Sequence, residues 1–183
     1  MKYFFTSDTH FYHTNIIKYC NRPFADAVEM TNKLIDNWNS KIQPGDMVYH
    51  LGDFTFGQDS MVVTSLLSRL QGDIILIKGN HDKLAWANRG RFFAFHDSYH
   101  ETTINGQRIT MCHYAMKVWN KSHHGSWHLY GHSHGTLPDD PTSRSFDVGV
   151  DCHNYFPLSF EEVEAIMNKK TFKALDHHGS TAS

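Results

Sequence analysis

Residues 74–83 read IILIKGNHDK, an aliphatic run that stops at Ile77 and passes straight into Lys78-Gly79-Asn80-His81-Asp82. Four consecutive apolar residues with Gly72 before them and Gly79 after them have the length and punctuation of a buried strand. The tip of that strand is unusual for a plain turn. Asn80, His81 and Asp82 all carry side chains able to bind a cation or move a proton, and a core element delivers them together.

Upstream of this stretch the chain alternates between strand and helix signals. Lys2–Thr6 is a short aromatic-rich strand ending at Ser7-Asp8. From Asp26 to Trp38, Val28, Met30, Leu34, Ile35 and Trp38 fall on roughly one helical face. Pro44-Gly45-Asp46 makes a turn before a strand at Met47–Leu51, and Ser60–Leu70 again shows helical spacing before Gly72. Strand, helix, strand, helix, strand predicts a parallel sheet in an α/β fold.

Downstream the pattern changes. Glu101–Ile104, Asn105-Gly106 and Gln107–Met111 form a strong hairpin signal. Trp127–Tyr130 and Phe146–Val150 read as two more strands with a Gly-, Pro- and Ser-rich loop between them. Ser159 with Glu162 has the spacing of a capping box that opens a last helix reaching about Met167. The organisation expected is one domain over residues 1–175, with a second sheet from the later strands and a flexible C-terminal tail at 176–183.

The 183 residues are 40% hydrophobic and 20% charged, as in a soluble globular domain. A net charge of −2 gives no basic surface for duplex nucleic acid, although a nucleotide or a nucleic-acid end stays open as a substrate. Cys20, Cys112 and Cys152 have neither metal-knuckle spacing nor a disulfide framework, so a reducing compartment is expected. With no signal-peptide pattern and no run approaching a membrane span, a cytoplasmic protein without a membrane partner is expected. Histidine is the outlying count, at 15, and directs the search to metal sites.

Ligand sites in open α/β sheets form beyond the carboxyl ends of the strands. Asp8 and His10 follow the first strand, Asp53 the second and Asn80-His81-Asp82 the third. His113 follows the hairpin, and His132 and His134 follow the Trp127 strand. Singly, an Asp after a strand is ordinarily a turn residue, and two histidines two apart are ordinarily surface groups. Five strand ends finishing this way point to one shared site. Gly52, Gly79 and Gly131 fit too, since they remove bulk where backbones must approach it. Four imidazoles, two carboxylates and one amide oxygen exceed the needs of one tetrahedral zinc. They suit two borderline divalent ions sharing a carboxylate.

In these blocks the sequence resembles the calcineurin-like metallophosphoesterases. Their pattern is D-x-H, G-D, G-N-H-[DE], a histidine near a strand end and G-H-x-H. Here it is met in order by Asp8-Thr9-His10, Gly52-Asp53, Gly79-Asn80-His81-Asp82, Cys112-His113 and Gly131-His132-Ser133-His134. The resemblance implies two mixed β-sheets sandwiched between helices, with a dimetal site at the strand ends. It assigns one ion to Asp8, His10, Asp53 and His134, and the other to Asp53, Asn80, His113 and His132, with Asp53 bridging. His81 is expected as the substrate-facing general acid and Asp82 as its orienting partner.

Two divalent ions are implied, Mn²⁺ foremost, with Fe²⁺, Zn²⁺ or Ni²⁺ as alternatives, and a metal-bridging hydroxide as the attacking group. With no cap domain to select a small monoester, the expected activity is a phosphodiesterase on a nucleotide-type or other small phosphodiester. A phosphomonoesterase and a catalytically weak metal-dependent scaffold are the alternatives. His13, His50, His123, His124, His128 and His153 match no block. They are read as loop or core residues, or as substrate contacts, the last especially for His123 and His124.

Overall fold

Alternation along three short strands sets the architecture of the computed structural model, which describes residues 1–57 and 59–175. In β1 (Tyr3–Thr6), β2 (Met47–His50) and β3 (Asp73–Ile77), successive side chains leave opposite faces. Phe4, Val48, Ile74 and Leu76 pack against Met30, Leu34, Ile35 and Trp38 of helix α2 (Ala27–Lys41) and Val63 and Leu66 of helix α3 (Ser60–Arg69). Their neighbours Phe5, Tyr49, Ile75 and Ile77 enter a second core. A one-residue slip would exchange the two sets, so the apolar pattern fixes the register.

That second core is closed by a second sheet, built from β5 (Tyr99–Ile104), β6 (Gln107–Cys112), β7 (Trp127–Tyr130) and β8 (Ser145–Asp147). Ile109, Met111, Trp127, Leu129 and Phe146 supply its inner face. Helix α5 (Phe160–Asn168) adds Phe160, Val163 and Met167, and begins at the capping box of Ser159 and Glu162. β5 and β6 form the antiparallel hairpin, while β6, β7 and β8 run parallel.

The first sheet has the order β4-β3-β2-β1-β9, where β4 (Ala94–His96) is parallel to β3 and β9 (Leu158–Ser159) is antiparallel to β1. Thr6 lies opposite His50, and His50 opposite Leu76, so the turns after β1, β2 and β3 emerge side by side. Two mixed sheets with flanking helices are thus the architecture expected.

Several details differ from the sequence reading. β4 and β9 were not anticipated, nor were the short helices α1 (Thr14–Tyr19) and α4 (Lys83–Ala87). The strand expected over Phe146–Val150 ends at Asp147. There the chain crosses to the first sheet, where Gly149 bridges Ser7 and Val150 N–H donates to Ser7 O at 3.1 Å. On the outer face of the second sheet, buried His128 is covered by the 114–126 segment, with Trp119 at 5.2 Å between ring centroids. Among the described residues no helix is long and apolar enough to cross a membrane. The tail expected at 176–183 lies outside the described residues.

Candidate metal centre

All seven expected ligands gather at the carboxyl ends of β1, β2, β3, β6 and β7. The donor atoms of Asp8, His10 and His134 lie within 4.8 Å of one another, as do those of Asp53, His113 and His132. Asp53 joins the two groups. Its Oδ2 stands 3.4 Å from His10 Nε2 and 3.5 Å from His113 Nε2. Asn80 Oδ1 approaches His113 Nε2 at 3.0 Å, placing it with the second group.

The backbone is bent to achieve this. Asp8, His10, Asp53, His132 and His134 all have φ between 47° and 68°, the left-handed region that non-glycine residues rarely occupy. Such conformations cost on the order of 1–3 kcal/mol each and cluster at functional sites. Close approach demands glycine at two further points. A Cβ on Gly79 would meet Asp53 Oδ1 at 2.4 Å, and one on Gly131 would meet Asp8 Oδ2 at 2.4 Å.

Local hydrogen bonds orient the rings. His113 Nδ1 donates to Leu51 O at 2.8 Å, which turns its Nε2 toward the centre. His134 Nδ1 donates to Asp151 Oδ2 at 2.7 Å, which turns its Nε2 toward Asp8 Oδ1 at 3.9 Å. Asp8 Oδ2 accepts from His132 N–H at 2.9 Å. Asp8 Oδ1 and His10 Nε2 are buried and have no hydrogen-bond partner among the described residues. Buried polar atoms are normally satisfied. Two orphaned ligand atoms in the Asp8/His10/His134 group fit a bound divalent cation.

Burial pushes the Asp8 carboxyl up to about 7 and drives the His10 ring down to about 2. Burial would also lower His113, but hydrogen bonding to Asp53 and the Asp8 and Asp53 charges outweigh it and lift the ring to about 9. For Asp53 burial acts upward, yet the His113 bond and charge, His10 and the His81 N–H hold it well below the ordinary carboxylate range. A cation entering this centre therefore displaces protons from Asp8 and His113.

Two residues important to the centre carry no motif. Arg22 is buried and pairs with Asp151 through both Nε and Nη2, at 2.8 and 2.7 Å. It also donates to the carbonyls of Asp8 and Thr9, at 2.7 and 3.1 Å. Arg22 thus holds the Asp8–His10 turn and, through Asp151, the ring of His134. Asp151→Asn is expected to weaken metal binding at the Asp8/His10/His134 group by about 10–100-fold. A two-step calorimetric titration checks this, the step at the Asp53/His113/His132 group staying unchanged.

Asp82 does not serve the role expected from sequence. Its Oδ2 accepts from Asp53 N–H and Gly79 N–H, both at 2.8 Å, and its Oδ1 from Phe54 N–H at 2.7 Å. Those bonds tie the turn after β3 to the turn after β2, and among the described residues the His81 ring makes no hydrogen bond to Asp82. Asp82→Ala strands three buried donors, at about 1–3 kcal/mol each before relaxation. Urea unfolding should show a loss of about 3–5 kcal/mol, with Asp82→Asn losing less because it keeps an acceptor.

His81 itself sits at the edge of the centre, its ring 5.8 Å from that of His10 between centroids, and is exposed. Its N–H donates to Asp53 Oδ1 at 2.8 Å. A groove of about 560 Å³ leads away from Asn80 and His81 past Phe56, Lys83, Leu84 and Ala87. Tyr114 OH reaches Asn80 Oδ1 at 3.4 Å and rims the opposite side.

The histidines outside the motif separate by position. His50 Nε2 bonds Thr9 Oγ1 at 2.9 Å in the core, and His128 is bonded by Met116 N–H at 3.1 Å. His153 Nε2 bonds Asp147 O at 2.7 Å. His123 and His124 are corrected as substrate contacts. Gln107 Nε2 bonds Gly125 O at 3.3 Å, so their turn lies at the start of β6 and β7, a strand length from His113. Among the described histidines outside the motif, His13 joins the centre.

Comparison with known proteins places the chain in a family. Residues 1–143 match the calcineurin-like phosphoesterase superfamily domain. The uncharacterized protein MJ1445 of Methanocaldococcus jannaschii is 34% identical over 174 residues, covering 92% of each chain. The crystal structure of AQ665 from Aquifex aeolicus, a protein of unknown function, superposes with a TM-score of 0.70 at 25% identity, over 90% of this chain and 98% of that one. A novel archaeal phosphodiesterase gives a TM-score of 0.47 at 19% identity, over 81% of this chain and 82% of that one. With the motif blocks, the strand-end site and the matched span in agreement, the chain belongs to the calcineurin-like phosphoesterase superfamily.

Proposed function

We propose that this protein is a phosphodiesterase that uses two divalent ions to cleave a nucleotide-type or other small organic phosphodiester, including one at a nucleic-acid end. One observation carries the reading: a single Asp53 oxygen stands within 3.5 Å of a histidine from each donor group. Bound ions would activate water as the nucleophile and draw charge from the phosphoryl oxygens. The imidazole-rich donor set favours Mn²⁺ first, then Fe²⁺, Zn²⁺ or Ni²⁺, over Mg²⁺.

The chain's own residues supply the remainder. His81 donates a proton to the leaving oxygen, from a position fixed by its backbone bond to Asp53. The groove beyond it receives the organic part of the leaving group, with Phe56, Leu84 and Ala87 against apolar surface and Lys83 facing a further anionic group. His132 is exposed on the other side, leaving room for a second ester substituent. That room favours a diester over a monoester. The weak net charge favours a small or single-ended substrate over duplex nucleic acid.

Chelation followed by metal add-back tests the reading. Activity on bis-p-nitrophenyl phosphate and a dinucleotide should vanish in the stripped protein and return with Mn²⁺. The diester should be cleaved faster than the matching monoester. Full activity after exhaustive stripping would overturn the metal requirement, and faster monoester cleavage would overturn the diesterase assignment.

A further inference from the structure

His13 lies outside every motif block, yet its ring packs into the centre. Tyr12, at φ 62°, turns the chain after His10, and His13 N–H donates back to His10 O at 3.0 Å. The ring then stacks on Phe56 at 3.9 Å between centroids with planes 10° apart, which fixes its orientation. It stands 6.5 Å from the His81 ring, and its Nδ1 faces His10 Nδ1 at 3.2 Å.

Two ring nitrogens in hydrogen-bond contact share one proton, one donating and the other accepting. His10 Nε2 is the atom turned toward Asp53, and it lacks a hydrogen-bond partner among the described residues. When that lone pair is given to a cation, the remaining proton of His10 must sit on Nδ1. His13 Nδ1 is then the acceptor, and the proton of His13 is confined to Nε2, on the far edge of the ring. No protein group among the described residues is hydrogen-bonded to that Nε2.

We propose that His13 Nε2–H is a substrate contact, a fixed donor to a phosphoryl oxygen of the phosphoester held beside His81. The contact rests on the phosphoesterase reading above. It makes phosphate recognition conditional on metal, because loading His10 selects the tautomer that presents the donor. The Phe56 stack serves both His13 and the wall of the groove. Phosphate binding and leaving-group binding therefore share one rigid element.

The test uses inorganic phosphate as the probe, with wild type, His13→Phe and His13→Gln. Phe keeps the stack and removes both nitrogens, whereas Gln restores an N–H near the Nε2 position. In the Mn²⁺-loaded protein, His13→Phe should bind phosphate about 10–100-fold more weakly, the worth of a hydrogen bond to a charged group, and raise KM for a diester in parallel. Metal content should match wild type, and His13→Gln should recover much of the loss.

Unchanged phosphate affinity in His13→Phe would overturn the contact. So would a loss of bound Mn²⁺ that accounts for the weaker binding, since His13 would then only orient His10. Failure of the fully loaded wild type to bind phosphate or cleave any phosphoester would instead overturn the phosphoesterase reading itself.

Discussion

Asp53→Asn is expected to lower kcat/KM on every phosphoester by about 10²–10⁴-fold, the rate equivalent of the several kcal/mol that paired cations supply. The substitution is gentle on the fold. Asparagine tolerates the left-handed backbone at this position, where φ is 56°. Its amide oxygen can still accept from His81 N–H, now at 2.8 Å. What disappears is the anionic Oδ2 between His10 and His113. Titration with Mn²⁺ should show two ions bound by wild type and at most one bound tightly by the variant. Two ions held with unaltered affinity would remove Asp53 as the bridge. Glu164→Gln, on the exposed side of α5, is the matched control and should change neither quantity.

The second large effect is His81→Ala, and its size should depend on the leaving group. A ribose alkoxide leaves poorly without a proton, so kcat on a dinucleotide should fall by about 10²–10⁴-fold. A nitrophenolate needs little help, and loss on a nitrophenyl diester should be much smaller. Metal content should stay constant, because His81 touches Asp53 through its backbone N–H, which alanine retains. Equal losses on both substrates would mean that the ring stabilises charge on phosphorus and is not the proton donor.

The sequence carried the strands and the ligands for the same reason. A buried strand writes its length as an apolar run, and residues that break the run at its end are chemically conspicuous. Asp8, Asp53, Asn80 and His113 could be read because each lies within about three residues of the end of such a run. Short elements have no such signature. β4 is three residues and β9 two, below the length at which alternation can register. The Arg22–Asp151 pair spans 129 positions, and nothing local marks two charged residues as partners at that separation. Asp82 shows a different limit. Adjacency to His81 suggested a pair, but the turn geometry points its carboxylate back at the backbone of β2's exit. His123 and His124, open in the sequence to a loop or a substrate-contact reading, lie at the start of β7 and away from the strand ends that carry the ligands.

The left-handed backbone at Asp8, His10, Asp53, His132 and His134 also says how such a site would decay in a descendant that no longer needed it. Asparagine and glycine relieve the strain at these positions, and asparagine at 8 and 53 removes a buried charge as well. Natural proteins sit near a stability threshold, so changes of this kind would be gained as stabilising once catalysis ceased to matter. Disuse should therefore leave a recognisable trace. Asn and Gly would accumulate first at these five positions, while the apolar strands before them, which hold the fold, would persist.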